Sequence, residues 1–359
     1  MNFNFSQVKI FRILLLPFSL LYGLIVIIRN YLFDKNILKS VSFDLPVIAV
    51  GNLSVGGTGK SPMVEYLLTL LKDKYNIAAL SRGYKRKTKG YVLANEATTA
   101  LELGDEPMQF HQKFPGVAVA VGEERILAVP QILQDRPETN VIILDDAFQH
   151  RRVMPGFNIL LTDYNNLFTS DFFLPAGNLR DQQSSYKRAD VIVVTKCPSG
   201  LPEKEKNKIN KEICLLPNQK IFFTAIKYGS PYHIINQEKK TITAKDEVLL
   251  VSGIANPKPL KKYLLQHSKS FFELSYADHH IFTINNIKEI RKKFDNIDAE
   301  QKIIITTEKD AVRLMKFKKE LSEMSVFVLP VGHTFLFNEG IQFDGIIHSF
   351  IETFERNKR

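Results

Sequence analysis

Short apolar runs recur along the chain, and each ends in a polar or glycine-bearing turn. They cover residues 47–50, 77–80, 117–121, 141–144, 158–161 and 191–194. Runs of four or five residues with almost no polar alternation predict strands buried on both faces, as in a parallel sheet. Helix-like stretches follow some of them, at 63–71 after the first and 123–133 after the third, so strand and helix alternate as in an α/β domain. A second set of runs, 248–251, 303–305 and 326–328, with a helix over about 257–266, predicts another α/β unit. Between the two sets lie a polar, lysine-rich stretch at 198–218 and extended segments at 221–226 and 232–243. The pattern predicts a first α/β domain over 41–218, an extended β linker over 219–247 and a C-terminal α/β domain over 248–359.

The N-terminus breaks this pattern. Residues 13–28 read ILLLPFSLLYGLIVII, without a charge, between Arg12 and Arg29. Apolar residues fall on every side of such a helix, unlike an amphipathic surface helix. A signal peptide would carry a small-x-small cleavage site, and none follows. A buried core helix is the competing reading. We assign residues 1–40 to a membrane-associating helix, extended toward the interface by Arg12, Arg29 and Tyr31. Lys9 and Arg12 on one side, and Arg29, Lys35 and Lys39 on the other, leave its orientation open.

Composition adds two constraints. The 359 residues carry a net charge of +10, which favours anionic partners: nucleotides, phospholipid headgroups or a phosphorylated substrate. No motif that reads DNA or RNA accompanies the scattered basic residues, so a nucleic-acid partner is not expected. Two cysteines, Cys197 and Cys214, make neither a disulfide framework nor a metal-ligand cluster.

The first strand run leads directly into the chain's clearest chemistry. Residues 54–61 read SVGGTGKS and open a helix-like stretch. Strand, glycine-rich loop and helix start together form a phosphate-binding loop, with Ser54 at a position usually held by glycine. Ser54, Val55, Gly56, Gly57, Thr58, Gly59, Lys60 and Ser61 are the candidate ATP-binding residues. Backbone N–H groups and Lys60 would hold phosphates, and the Ser61 hydroxyl would ligate Mg²⁺. A GTPase would present a guanine-reading Asp after Thr195-Lys196, but Pro198 stands there. ATP is therefore the expected nucleotide.

Three acidic or imidazole clusters complete the picture. The fourth apolar run delivers Asp145 and Asp146 to its C-terminal tip, where paired carboxylates call for a cation such as Mg²⁺. Gln149, His150, Arg151 and Arg152 follow within reach of phosphate or substrate. Asp105, in GDEP (104–107), either caps a helix or accepts a proton from an attacking hydroxyl. Asp278, His279 and His280 lie between Tyr276 and Phe282 and read as an acid/base pair, a metal site or a charged loop; with no further His or Cys at ligand spacing, a structural zinc site is not expected. TTEKD (306–310) follows a strand and reads equally as a helix cap or a cleft lining. A membrane-associated P-loop ATPase, acting as a switch or partitioning factor, is the alternative reading of the loop.

These blocks together resemble one family, the tetraacyldisaccharide 4′-kinases of lipid A biosynthesis. The matching residues are the apolar N-terminus, GNLSVGGTGKSP (51–62), SRGY (81–84), GDEP (104–107), LDDAFQH (144–150), LPAGNLRD (174–181), DHH (278–280) and TTEKDAVRL (306–314). The resemblance implies two α/β/α sandwich domains, the first P-loop NTPase-like with a mostly parallel sheet, joined by a β linker. It implies transfer of the γ-phosphoryl group of ATP to the 4′-hydroxyl of an acylated glucosamine disaccharide 1-phosphate. This would occur at the cytoplasmic face of the inner membrane of a Gram-negative bacterium, with no obligate protein partner. Carried onto this chain, it makes Asp105 and His279 the catalytic pair, as base and orienting partner, with His280 the lesser candidate. Ser61, Asp145 and Asp146 become the metal-organising residues, and Arg82, Asn178, Arg180 and Asp181 candidate substrate contacts.

Overall fold

The structure is a computed structural model that describes residues 14–358; Lys9, Arg12 and Ile13 of the expected N-terminal segment lie outside them. The first sheet is built from β1 (Val47–Asn52), β2 (Ile77–Ser81), β3 (Val92–Leu93), β4 (Ala118–Val121), β5 (Val141–Asp145), β6 (Phe157–Asp163), β7 (Val191–Thr195) and β8 (Lys220–Tyr228). The second holds β9 (Tyr232–His233), β10 (Glu247–Ser252), β11 (Ser270–Ser275), β12 (Lys302–Thr307) and β13 (Val326–Leu329). The last strand, β14 (Val331–Phe335), returns to the first sheet, whose order is β14-β8-β7-β6-β1-β5-β2-β4-β3. Its strands pair in parallel except at the two edges, β3 with β4 and β14 with β8.

The apolar runs become strands because both faces of the sheet are covered. Ile48 and Val50 of β1 point into a core with Met63, Val64, Leu67 and Leu68 of the phosphate-loop helix (Lys60–Leu71). The alternate residues Val47 and Ala49 point into a second core with Ala128, Val129 and Ile132 of the helix Arg125–Asp135. This two-sided burial is what alternation in a pleated strand produces when helices lie above and below. The second sheet, β11-β10-β12-β13-β9, is covered in the same way. Leu249 and Val251 face Ile287 and Ile290, while Val248 and Leu250 face Leu260 and Leu264.

The domain boundaries differ from the sequence expectation. Residues 219–247, expected as a linker, include β8, a full strand of the first sheet, and β9, a strand of the second. Residues 331–358, expected in the second domain, belong to the first. Phe343, Ile347 and Ile351 of the C-terminal helix (Gly340–Lys358) pack into the same core as Leu67. Local patterning identifies a strand but not its sheet, which is set here by long-range pairing. The chain thus crosses between sheets twice, at residues 229–231 and at Pro330, and the Gly229 N–H donates to the Pro330 carbonyl at 3.0 Å.

The N-terminal helix spans Leu16–Asp34 and is long and apolar enough to cross a membrane. Ser19, Gly23, Val26, Asn30 and Phe33 form its buried stripe, at spacings of three and four residues. Leu20, Leu21, Leu24, Ile25, Ile28 and Tyr31 remain exposed around the rest of its surface.

Candidate active site

The C-terminal tips of β1, β2, β5, β6 and β7 lie at one edge of the parallel sheet, where α/β proteins place their ligands. The phosphate loop leaves β1 there. Gly59, at φ +86°, caps the following helix in the left-handed region that glycine enters without a Cβ penalty. As residues of the first helical turn, Lys60 and Ser61 have N–H groups without intrahelical partners. Thr58 is held by its neighbours: its hydroxyl accepts from Asn52 Nδ2 at 2.8 Å, and its carbonyl accepts from Thr195 Oγ1 at 2.9 Å. Ser54 and Val55 differ from expectation. Ser54 bridges to Leu179, and the Val55 N–H donates to the Asn178 carbonyl at 2.7 Å. Val55 therefore spends its donor on the protein rather than on a phosphate.

Asp145 and Asp146 stand beside this loop in contrasting states. Asp145 is buried; its Oδ2 accepts from Ser81 Oγ at 3.1 Å, and its Oδ1 accepts no hydrogen bond among the described residues. Burial, then the nearby carboxylates of Glu106 and Asp146, push its carboxyl up to about 7. Asp146 accepts on both oxygens from Arg180 and lies 3.5 Å from Lys60 Nζ. Burial alone would raise its carboxyl, but Arg180 and Lys60 hold it well below the usual carboxylate range. Arg125, 1% exposed, braces the tip of β5 by donating to the Asp145 carbonyl at 3.1 Å.

Across the cleft, the two domains meet at Asp105. The residue opens the helix Asp105–Lys113, where a carboxylate is favoured by the helix dipole. Arg313, on the helix Glu308–Leu314 of the second domain, grips it as a fork: Nε donates to Oδ1 at 2.8 Å and a terminal nitrogen donates to Oδ2. His279 Nδ1 lies 2.9 Å from the same Oδ2. Nδ1 lies 2.9 Å from an Arg313 terminal nitrogen as well, so it faces an acceptor and a donor at once; with the proton on Nδ1, bonded to Asp105, Nε2 keeps the lone pair. Burial opposes the charge on Asp105, but Arg313 and then His279 hold its carboxyl below the ordinary value.

The second domain aims His279 through its backbone. His279 adopts φ +64°, and its N–H donates to the Gly253 carbonyl at 3.3 Å. The Gly253 N–H donates to Asp310 Oδ2 at 3.0 Å, and Thr307 caps the helix by accepting from the Asp310 N–H. A Cβ at Gly253 would sit 3.0 Å from the Ala277 carbonyl oxygen, so glycine is what this close approach admits. TTEKD is therefore a helix cap that also fixes the histidine loop. His280 faces away, stacked on Tyr276, with Nε2 3.1 Å from Asn286 Oδ1.

The remaining candidates divide. Arg180 joins the site through Asp146. Arg82 is exposed and makes no hydrogen bond or ion pair among the described residues. The Asn178 side chain is turned to Asp171, with Nδ2 to Oδ2 at 3.0 Å. Asp181 is the clearest departure from the expected substrate contact: it is 0% exposed and accepts from Asn30 at 2.7 Å, Ser185 at 2.9 Å and Arg188 at 2.9 Å. It anchors the N-terminal helix. Gln149 and Arg151 serve the same dock: the Gln149 carbonyl accepts from Arg29 at 2.7 Å, and Arg151 donates to the Asn30 carbonyl at 2.9 Å. His150 is pushed down to about 4, first by burial and then by Arg125 and Arg82. Arg152 lies outside the site, 3.6 Å from the exposed Glu124.

Sequence reasoning did not single out Arg313, Arg125 or Lys113. Arg313 stood within a quoted block, but nothing local ties it to a residue 208 positions away. Lys113 Nζ bridges buried Glu65 of the phosphate-loop helix and buried Glu308 of the Arg313 helix, at 2.6 Å each.

Comparison with known proteins bears on this geometry. The profile of the family described as tetraacyldisaccharide-1-P 4′-kinase matches residues 11–349. Among curated relatives, the tetraacyldisaccharide 4′-kinase of Flavobacterium johnsoniae is 49% identical over 347 residues, covering 96% of this chain and 98% of its own. That of Bacteroides thetaiotaomicron is 42% identical, covering 96% and 94%. A crystal structure of LpxK from Aquifex aeolicus in complex with ATP superposes with a TM-score of 0.74 at 32% identity, covering 95% of this chain and 99% of that one.

Proposed function

The chain belongs to the tetraacyldisaccharide-1-P 4′-kinase family, and from that membership we propose how its residues carry the reaction. The enzyme transfers the γ-phosphoryl group of ATP to the 4′-hydroxyl of a tetraacyldisaccharide 1-phosphate, the lipid A precursor. The observation that carries the assignment of roles is the meeting of Asp105 and His279, 2.9 Å apart, from opposite domains beside a phosphate loop.

The phosphate loop holds the triphosphate through the N–H groups of Lys60 and Ser61 and the Lys60 ammonium. Arg180, already on Asp146, adds a cation at the same tip. The acceptor hydroxyl meets His279, whose Nε2 takes its proton as the oxygen attacks the γ-phosphorus and the bond to the β-γ bridging oxygen breaks. Asp105, held by Arg313, accepts from Nδ1 in that tautomer and offsets the charge the imidazole gains. The family resemblance implied Asp105 as the base. Arg313's fork lowers its proton affinity and makes it the better orienting partner.

The residues present fit a divalent cation. The unpartnered buried oxygen of Asp145 is the observation in its favour, and a few protein oxygens completed by phosphate and water suit Mg²⁺. Asp145, Asp146 and the Ser61 hydroxyl would hold it. When bound, it would neutralise charge developing on the phosphate oxygens.

The exposed apolar surface of the N-terminal helix supports attachment to the cytoplasmic face of the inner membrane of a Gram-negative bacterium, where an acylated substrate resides. The excess positive charge would draw the enzyme to an anionic leaflet.

The test uses γ-labelled ATP and purified tetraacyldisaccharide 1-phosphate, with the product analysed by mass spectrometry and phosphorus NMR. Label at the 4′ position is expected. ATP hydrolysis at the same rate with and without lipid, and no labelled lipid, would favour the membrane-associated ATPase.

A further inference from the structure

One imidazole on the nucleotide side belongs to none of the motifs. His333 lies on β14, which enters the first sheet one residue after β13 leaves the second. Its Nε2 is 2.9 Å from the Gly59 carbonyl oxygen, and its Nδ1 is 3.0 Å from Thr224 Oγ1 on β8. A carbonyl only accepts, so Nε2 carries the proton, and Nδ1 accepts from the threonine hydroxyl. The ring is neutral and oriented at both ends. Burial, outweighing the hydrogen bond to Gly59, pushes its titration down to about 4, which keeps that tautomer at neutral pH. The fit is close: a Cβ at Gly59 would lie 2.9 Å from His333 Cε1.

Gly59 ends the phosphate loop and caps its helix in the left-handed region. Its carbonyl belongs to the same planar peptide as the Lys60 N–H, so whatever fixes one fixes the direction of the other. We propose that His333, oriented by Thr224, is a positioning residue for ATP that acts through the Gly59 carbonyl to aim the Lys60 N–H at the triphosphate. The proposal rests on the reading that the loop 54–61 holds ATP. The histidine reaches the loop because the chain's last strand returns from the second domain, so no reading of residues 51–62 alone discloses it.

The experiment measures Mg·ATP binding by calorimetry on the full-length enzyme, together with KM for each substrate and kcat. Lys60→Met is the control for the site itself. His333→Phe keeps a ring of similar volume without the donor, and His333→Gln restores a donor where Nε2 stood. His333→Phe is expected to weaken Mg·ATP binding at least 10-fold while KM for the lipid changes less than twofold. His333→Gln is expected to stay within threefold of wild type for both. If Lys60→Met binds Mg·ATP like wild type, the site reading and this proposal both fall. If Lys60→Met loses binding but His333→Phe retains it, or His333→Gln is as weak as His333→Phe, the proposal alone falls. Should His333→Phe not fold, Thr224→Val decides: a two- to fivefold weakening confined to ATP supports the proposal, and unchanged binding overturns it.

Discussion

Lys113→Met removes a cation bonded to two buried carboxylates at the domain junction. Glu65 sits on the phosphate-loop helix, Lys113 ends the Asp105 helix, and Glu308 begins the Arg313 helix, so one ammonium joins three catalytic supports. Glu308 also accepts from the Val331 N–H at 3.0 Å, beside the crossover at Pro330. Breaking a buried ion pair costs about 3–5 kcal/mol. Lys113 keeps a third of its side chain in water, which reduces this to about 2–4 kcal/mol at pH 8. The cost depends on pH. Burial and then Glu308 raise Glu65 from its ordinary 4.5 to about 7, so between these values the folded protein holds a proton that the unfolded chain has released. Its contribution therefore favours folding at low pH and is lost as pH rises through 7. Without Lys113 the carboxyl rises further and protonates more readily, so at pH 5 the loss shrinks to roughly 1 kcal/mol. Thermal melts of wild type and variant at pH 5 and pH 8 read the difference. At roughly 1–2 °C per kcal/mol for a chain of 359 residues, a drop on the order of 4 °C is expected at pH 8 and about 1 °C at pH 5. Equal drops at both values would refute the reasoning.

Arg313→Lys keeps the charge but loses the two-pronged grip on Asp105; kcat should fall roughly 10- to 100-fold, equivalent to about 1.5–3 kcal/mol of lost charge-assisted hydrogen bonding. Mg·ATP affinity should stay unchanged, and steady-state kinetics with direct binding separate the two. Leu20→Glu with Leu24→Glu places charges on the exposed face of the N-terminal helix. Flotation with anionic vesicles should show lost membrane partition, while turnover on substrate dispersed in detergent is retained.

Much of the first domain was legible in the sequence, because continuous apolar runs have few other solutions than buried parallel strands. The phosphate loop and the pair Asp145-Asp146 were legible for the same reason: the strand and the chemistry at its tip are local to each other. What escaped was set by distance along the chain. Residues 331–335 carried no strand reading of their own within the expected C-terminal domain, and only pairing with β8 places them in the first sheet. Asp181 was a candidate substrate contact through the family resemblance alone, and a motif match carries no information about burial. Its actual partner, Asn30, lies 151 residues away within the apolar segment. Arg313 and His333 were invisible in the same way, since each acts on a residue more than 200 positions distant.

The central claim is that phosphoryl transfer depends on a pair assembled across two domains. Single-turnover transfer from γ-labelled ATP by Asp105→Asn tests it most directly, because the amide keeps the shape of the side chain while removing its charge. The expected outcome is a rate lower by roughly 10²–10⁴-fold, with Mg·ATP bound within twofold of wild type. A variant that transfers phosphate within tenfold of wild type would contradict the account.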